Sequence, residues 1–253
     1  MTKEIYYFLK IRAANCAYEI RINDIIALED DDGGFLKTEF CLNYLCTAGI
    51  NAIKVILIPS QKQTIFPNDA ICEIKIIERD QFNFKDGNEL LELKSPEFNE
   101  NNQVNPTIIT KNFNSKLDKR FLWENSLAFS ENDFLKNEVL DYYKKIWTLI
   151  KNKNIDGLMN EFKLREEEYA DYLFSDINER INGTRIEFED VINTNDILPL
   201  TKETYLRFFA NRKLVTLKDK YNKDVLHLID ENSLNVTFPI LLMRKDKDLI
   251  AIR

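Results

Sequence analysis

The chain has 253 residues, 44% of them hydrophobic and 30% charged, a composition that lets burial offset chain entropy and excludes disorder over most of the length. Thirty-five basic residues against 42 acidic ones leave a net charge of −7, the wrong sign for a general binder of nucleic-acid phosphates and a suitable one for a basic protein partner. Only six glycines and six prolines exclude fibrous repeats and disfavour a glycine-rich nucleotide loop.

The opening segment, Met1 to Lys10, has a short apolar run broken by charge, which suits a first strand and not a secretory leader. No apolar stretch approaches the ~18 to 20 residues needed to cross a bilayer. The expectation is a cytoplasmic protein with no membrane attachment. Short apolar runs separated by turn signals then continue to about residue 95, as in an antiparallel β domain. Tyr6 to Ile11, Ala17 to Ile22 and Ile25 to Leu28 are strand candidates, with Asn23-Asp24 able to supply the positive φ values of a tight hairpin. After Phe35 to Cys41, the run Leu42-Asn43-Tyr44-Leu45 suits one helical turn. Ala52 to Ile58, stopped by Pro59, Ala70 to Ile77 and Glu89 to Leu93 are further strands, and their spacing predicts a sandwich of two sheets. Ser95 to Pro106, rich in Asn and Pro, reads as a long loop, and Thr107 to Phe113 as a strand returning to the sandwich.

The period changes from two to 3.6 near Ser130. Ser130 is the candidate N-cap of a helix to about Lys151, with Phe134, Leu135, Val139, Tyr143, Ile146, Trp147 and Ile150 on one face. A second helix begins at the candidate cap Asn154 and carries Ile155, Leu158, Met159, Phe162, Tyr169, Tyr172 and Leu173, with Glu161 placed to pair with Arg165. The short connection predicts an antiparallel pair. Ser175 to Asn193 is a weaker helix, interrupted by Gly183. Beyond Asp196 the period returns to two: Tyr205 to Phe209, Leu214 to Leu217, Val225 to Ile229, Val236 to Met243 and Leu249 to Ile252 are the strands of an antiparallel sheet. The fold class is therefore α+β, with a β-sandwich domain over residues 1–125 and a domain of helices followed by an antiparallel sheet over 126–253.

Residue chemistry points away from catalysis. Cys16, Cys41, Cys46 and Cys72 lie among strand-like residues without a CxxC pair, so they read as buried reduced thiols and not as metal ligands. His227 is the only histidine, which makes a His-ligated metal site improbable, and in its alternating run it reads as a strand residue. Asp30, Asp31 and Asp32 beside Gly33-Gly34 superficially match a calcium loop, but contiguous acids lack the alternate spacing of such ligands, so they form an acidic loop tip that could dock a basic partner. Glu166, Glu167 and Glu168 spread around a helix at about 100° per residue, as on a solvated face. Tyr205, Phe208, Phe209 and Tyr221 lie near turns; each reads first as a core residue, and any that is exposed would mark a protein contact. No common hydrolase, kinase or dehydrogenase motif is present, and the chain predicts no cofactor, no metal and no enzymatic activity.

The runs Cys16-Ala17-Tyr18-Glu19-Ile20-Arg21-Ile22-Asn23-Asp24, Asn43-Tyr44-Leu45, Gly49-Ile50-Asn51-Ala52-Ile53-Lys54-Val55 and Pro59 resemble the N-terminal domain of two-domain bacterial immunity proteins, the partners of polymorphic or type VI secreted toxins. Trp123-Glu124-Asn125-Ser126, the helix with Trp147, Arg165-Glu166-Glu167-Glu168, Leu198-Pro199-Leu200, Asn211-Arg212-Lys213-Leu214-Val215 and Ile252-Arg253 follow in the same order. The resemblance implies neutralisation of a cognate toxin effector and identifies no contact residue. On charge and exposure alone, Asp30 to Asp32 and Glu166 to Glu168 are the candidate partner-binding residues. Two alternatives stay open: a small-ligand binder or enzyme with a pocket in the C-terminal domain, and a β-sandwich adhesion or carbohydrate-binding module.

Overall fold

The computed structural model describes residues 4–60, 63–99, 106–230 and 235–252. It divides into two compact units, Met1–Phe121 and Leu122–Arg253. The division precedes the sequence-based boundary because the turn Leu122–Asn125 is tied to the second unit: the Leu122 amide donates to Glu168 Oε1 at 3.2 Å and Lys213 Nζ donates to the Glu124 carbonyl.

Among the described residues the first unit has eight strands: β1 Ile5–Ala14, β2 Ala17–Ile22, β3 Ile25–Asp30, β4 Leu36–Cys41, β5 Gly49–Ile58, β6 Ile71–Asp80, β7 Asn83–Lys94 and β8 Thr107–Ser115. They form two four-stranded sheets, ordered β4-β1-β6-β7 and β3-β2-β5-β8, with every neighbour antiparallel. Alternation at period two sorts the side chains. Tyr7, Leu9, Ile11 and Ala13 of β1 and Ile53, Val55 and Leu57 of β5 are buried while their neighbours are not. The Tyr7 ring of one sheet lies 6.3 Å from the Phe113 ring of the other, so the inner faces share a core. Its hydroxyl donates to Glu78 Oε2 at 3.1 Å and accepts the Lys116 amide at 2.8 Å, and burial pushes its pKa up to about 12.

Asn23 and Asp24 both adopt the left-handed region, with φ of 52° and 65°, as the β2–β3 hairpin requires. The Asn23 side chain also donates to Asn51 Oδ1 at 2.7 Å, and Asn51 in turn accepts the Thr47 amide at 2.8 Å. Asn43 to Leu45 form the expected turn, as a 3-10 helix, and its buried Asn43 accepts the Tyr7 amide at 2.7 Å. Strand β7 runs further toward its N-terminus than the apolar pattern predicts, because its first seven residues are exposed and carry no alternation. The expected loop of residues 95–106 lies partly outside the described residues, from 100 to 105.

Among the described residues the second unit has three α-helices, α1 Asp133–Lys151, α2 Ile155–Tyr172 and α3 Ile177–Thr194. Asn132, not Ser130, caps α1: its side chain accepts the Leu135 amide at 2.9 Å. Asn154 caps α2 as expected, and Asp176 caps a full-length α3, whose Gly183 sits on the solvent side with open space around it. Glu161 pairs with Lys145 of α1 at 2.6 Å and not with Arg165, which turns toward Glu166.

Seven short strands follow among the described residues: β9 Asp196–Ile197, β10 Thr204–Phe209, β11 Leu214–Asp219, β12 His227–Ile229, β13 Asn235–Thr237, β14 Leu242–Lys245 and β15 Asp248–Ala251. They form two sheets, β10-β11-β14-β15 and β13-β12-β9, where the sequence predicted one. The predicted strand Val236 to Met243 breaks at Phe238-Pro239-Ile240-Leu241, since proline cannot donate to a ladder. Val139, Tyr143, Ile146, Leu158, Phe162 and Phe188 of the helices form one buried cluster with Val215, Leu217 and Leu242 of the first of these sheets. The Tyr143 hydroxyl links the layers, donating to the Ile240 carbonyl at 2.9 Å and lying 2.8 Å from Thr216 Oγ1. The architecture is α+β.

Candidate functional site

Asp30 ends β3, and Asp31 and Asp32 follow it on a loop whose geometry Asp30 sets. Its carboxylate accepts the amides of Asp32 at 3.1 Å and Gly33 at 3.2 Å, which leaves Asp32 as the exposed acid of the three. Gly33 is required there. Its φ is +74°, and a Cβ would fall 2.7 Å from Cβ of Ser60.

The three glutamates of α2 do not share a solvated face. Glu166 is 0% exposed and sits at the centre of a buried network. It accepts Arg165 Nε at 2.6 Å, Arg180 Nε at 2.7 Å and the Thr184 hydroxyl at 2.8 Å, the last two from α3. Glu168 is also buried and receives the Leu122 amide. Glu167 alone is exposed, 3.8 Å from Lys163. The partner-binding role expected of Glu166 and Glu168 is therefore corrected: both carboxylates act inside the unit, where a docking protein cannot reach them. The cause is the arrival of α3 with Arg180 and Thr184 on the side of α2 that the sequence left uncovered.

All four cysteines are free, and Cys16, Cys46 and Cys72 are buried. Burial raises every one of these thiols, Cys16 to about 11 and Cys72 to about 12, which suppresses the reactive thiolate. Among the described residues no group of three or more His, Cys, Asp or Glu side chains is placed to hold a metal ion. His227 lies half-buried on β12, its carbonyl accepting the Leu198 amide at 2.8 Å. No helix of the described residues is long and apolar enough to cross a membrane.

Concavities of the second unit include two open ones of about 350 Å³ each, both lined by Leu164 and Lys245. The first has Tyr142, Glu161, Lys163 and Glu167 in its wall, and the second Asn125, Ser126 and Arg244. Arg244 is held by a two-pronged pair with Glu138, at 2.8 and 2.6 Å.

Large apolar side chains stand in solvent on both units. Of the aromatics expected near turns, Tyr205 and Tyr221 are exposed, whereas Phe209 is buried and Phe208 packs on the core. The first unit carries Phe35 at 70%, Phe82 at 78% and Phe84 at 48% exposure, none of which the sequence singled out. Phe82 and Phe84 belong to the β6–β7 hairpin, on the outer side of the first sheet. Phe84 lies 5.1 Å from the Tyr6 ring and 6.2 Å from Phe8, and Arg79 covers the Phe8 ring at 4.7 Å. The signal available was Phe82-Asn83-Phe84, two aromatics spaced by two beside the turn-forming Asp80.

Comparison with known proteins finds no matching family model, no matching curated protein and no matching solved structure.

Proposed function

We propose that this protein is a cytoplasmic immunity protein that binds one secreted bacterial toxin and neutralises it by occlusion, as a binder and not as a catalyst. The observation that supports this reading is the set of large apolar side chains, Phe35, Phe82 and Phe84 foremost, held in solvent on the β unit. Exposed aromatics of this size are costly in water and are enriched where proteins meet. The net charge of −7 would steer a basic toxin domain toward it, and the order of sequence landmarks resembles that of two-domain immunity proteins. Asp32 of the first unit and Glu167 of the second are each exposed enough for a partner to reach.

The test is co-expression with the toxin encoded beside it. The protein should co-purify with the toxin and restore growth, and the complex should bury at least ~1,200 Å², the size of a specific stable interface. A folded, abundant protein that neither co-purifies nor rescues would overturn the reading. A second reading places a small ligand in the concavity beside Tyr142 and Lys163, whose volume of about 350 Å³ is at the lower end for ligand sites. A co-purifying metabolite that is lost on Lys163→Glu would favour it.

A further inference from the structure

We propose that residues 122–131 form a strap that opens and closes the second concavity, and that the β10–β11 turn is the latch that holds it shut. The inference goes beyond the immunity reading and does not rest on it. Apart from the turn Leu122–Asn125, the strap has no regular structure of its own. It is fastened at both ends. Glu168 Oε1 accepts the Leu122 amide at 3.2 Å, and Lys213 Nζ donates to the Glu124 carbonyl. At the far end Phe129 and Arg212 bond each other twice. The Phe129 amide donates to the Arg212 carbonyl at 2.7 Å, and Arg212 Nε donates to the Phe129 carbonyl at 3.0 Å. Glu131 adds an ion pair to the same guanidinium at 3.4 Å. Between the fastenings Leu127 stands 80% exposed.

The latch is strained. Ala210, Asn211 and Arg212 have φ of 51°, 54° and 63°, three successive residues in the left-handed region and none of them glycine. Asparagine tolerates that region, but the Cβ of alanine or arginine crowds the following carbonyl there. Inside the turn the Lys213 amide donates to the Ala210 carbonyl at 3.2 Å. Strained backbone persists where its surroundings over-determine it. Here those surroundings are the strap, through Phe129 and Glu131, and the Phe208 ring, which the guanidinium covers at 3.8 Å. Releasing the strap removes bonds that fix Arg212 and lets the turn relax, so strain favours opening, while burial of Trp123 and Phe129 keeps the closed form dominant. The strap also supplies one wall of the second concavity, with Asn125, Ser126 and Leu127 in it, and Leu164, Met243 and Lys245 belong to the remainder. Its movement therefore sets the width of that concavity.

Hydrogen exchange followed by mass spectrometry on the full-length chain reads the opening directly. Amides of 122–131 and 209–214 should share one opening equilibrium, populated more than that of α1. Arg212→Ala deletes a charge-assisted hydrogen bond and an ion pair, so it should speed exchange in both segments about 10-fold or more and leave α1 within about twofold. Arg212→Lys, a milder change that keeps the charge, should give a smaller acceleration in the same two segments. Ala210→Gly relieves strain in the closed form and should slow strap exchange about threefold. Met243→Cys places a thiol in the wall of the concavity. Its modification by a thiol reagent, read by peptide mapping, should accelerate with Arg212→Ala by the same factor as the strap amides. Strap exchange that neither Arg212 variant moves, or that moves without the turn, overturns the latch, and faster strap exchange in Ala210→Gly refutes the strain. A strap that exchanges no faster than α1 overturns the opening itself, and labelling at position 243 that ignores the latch variants overturns the gate.

Discussion

Replacing Glu166 with alanine should destabilise the second unit far more than the same change at either neighbour. The carboxylate is fully buried and meets Arg165, Arg180 and Thr184. Its removal leaves two cations without their anion and a buried hydroxyl without its acceptor. Breaking a buried ion pair from one side costs about 3 to 5 kcal/mol. Side-chain exposures of 14% for Arg165 and 29% for Arg180 let water recover part of that, which places the expected loss near 3 kcal/mol. For a cooperative unit of about 130 residues, such a loss lowers Tm by roughly 10 °C. Glu168→Ala removes the acceptor of the Leu122 amide and should cost about 1 kcal/mol. Glu167→Ala should stay within about 0.5 kcal/mol of wild type. The assay isolates the unit without dissection, because both tryptophans of the chain, Trp123 and Trp147, lie in it. Urea titrations followed by tryptophan fluorescence therefore give three midpoints for three adjacent glutamates. A Glu166→Ala loss below about 1 kcal/mol, or a larger loss at Glu167 than at Glu166, would refute the network reading.

Gly33→Ala should destabilise the first unit by at least about 1 kcal/mol through its positive φ and the close Ser60 Cβ, whereas Gly34→Ala, with nothing within 4 Å, should be nearly silent; thermal melts by circular dichroism distinguish them. Tyr143→Phe should cost about 1 to 3 kcal/mol, since it leaves the Ile240 carbonyl and Thr216 hydroxyl without this partner in a dry core, and the fluorescence titration reads it directly. The thiols make alkaline stability a further check. Folded Cys16 and Cys72 keep their protons to about 11 and 12, while the unfolded thiols lose theirs near 9.0, so the unfolded chain binds fewer protons in that window. Stability is full below pH 9 and should fall as the pH rises from 9 toward 11 and 12. Folded protein at pH 8 should correspondingly leave Cys16, Cys46 and Cys72 unlabelled by a thiol reagent; rapid labelling of these three would contradict their burial.

Strands with one wet and one dry face were readable residue by residue. Ala17 to Ile22 matches β2 to the residue because Tyr18, Ile20 and Ile22 alternate with Glu19 and Arg21, and Asn23-Asp24 announced its hairpin. Asn83 to Glu89 carried no such pattern: all seven residues are exposed, and their strand exists through its ladder to β6 and the close approach at Gly87. The second unit's sheets divided at Pro239, a break that the apolar run around it concealed. Glu166 was misplaced for a different reason. Charge alone argues for solvent, and only the packing of α3 supplies the two guanidinium groups and the hydroxyl that make burial tolerable. Phe82 illustrates the converse: apolar character argues for burial, yet its ring stands exposed in a turn whose amides Asp80 holds.

The strand order of the first unit has a consequence for how the chain can assemble during synthesis. Each successive strand joins a free edge of what precedes it: β3 joins β2, β4 joins β1, β5 takes the other side of β2, β6 the other side of β1, β7 joins β6 and β8 joins β5. No completed ladder has to open to admit a later strand. A nascent chain emerging at ~5 to 20 residues per second, against hairpin formation in about 1 to 10 μs, can therefore extend both sheets outward from the middle in the order of translation. The vulnerable moment comes just before Thr107 emerges. Until β8 arrives, β5 is a ten-residue bare edge whose outward side chains include Ile50, Ile56 and Ile58. Ribosomal stalling at that point yields the intermediate most prone to pair with another chain.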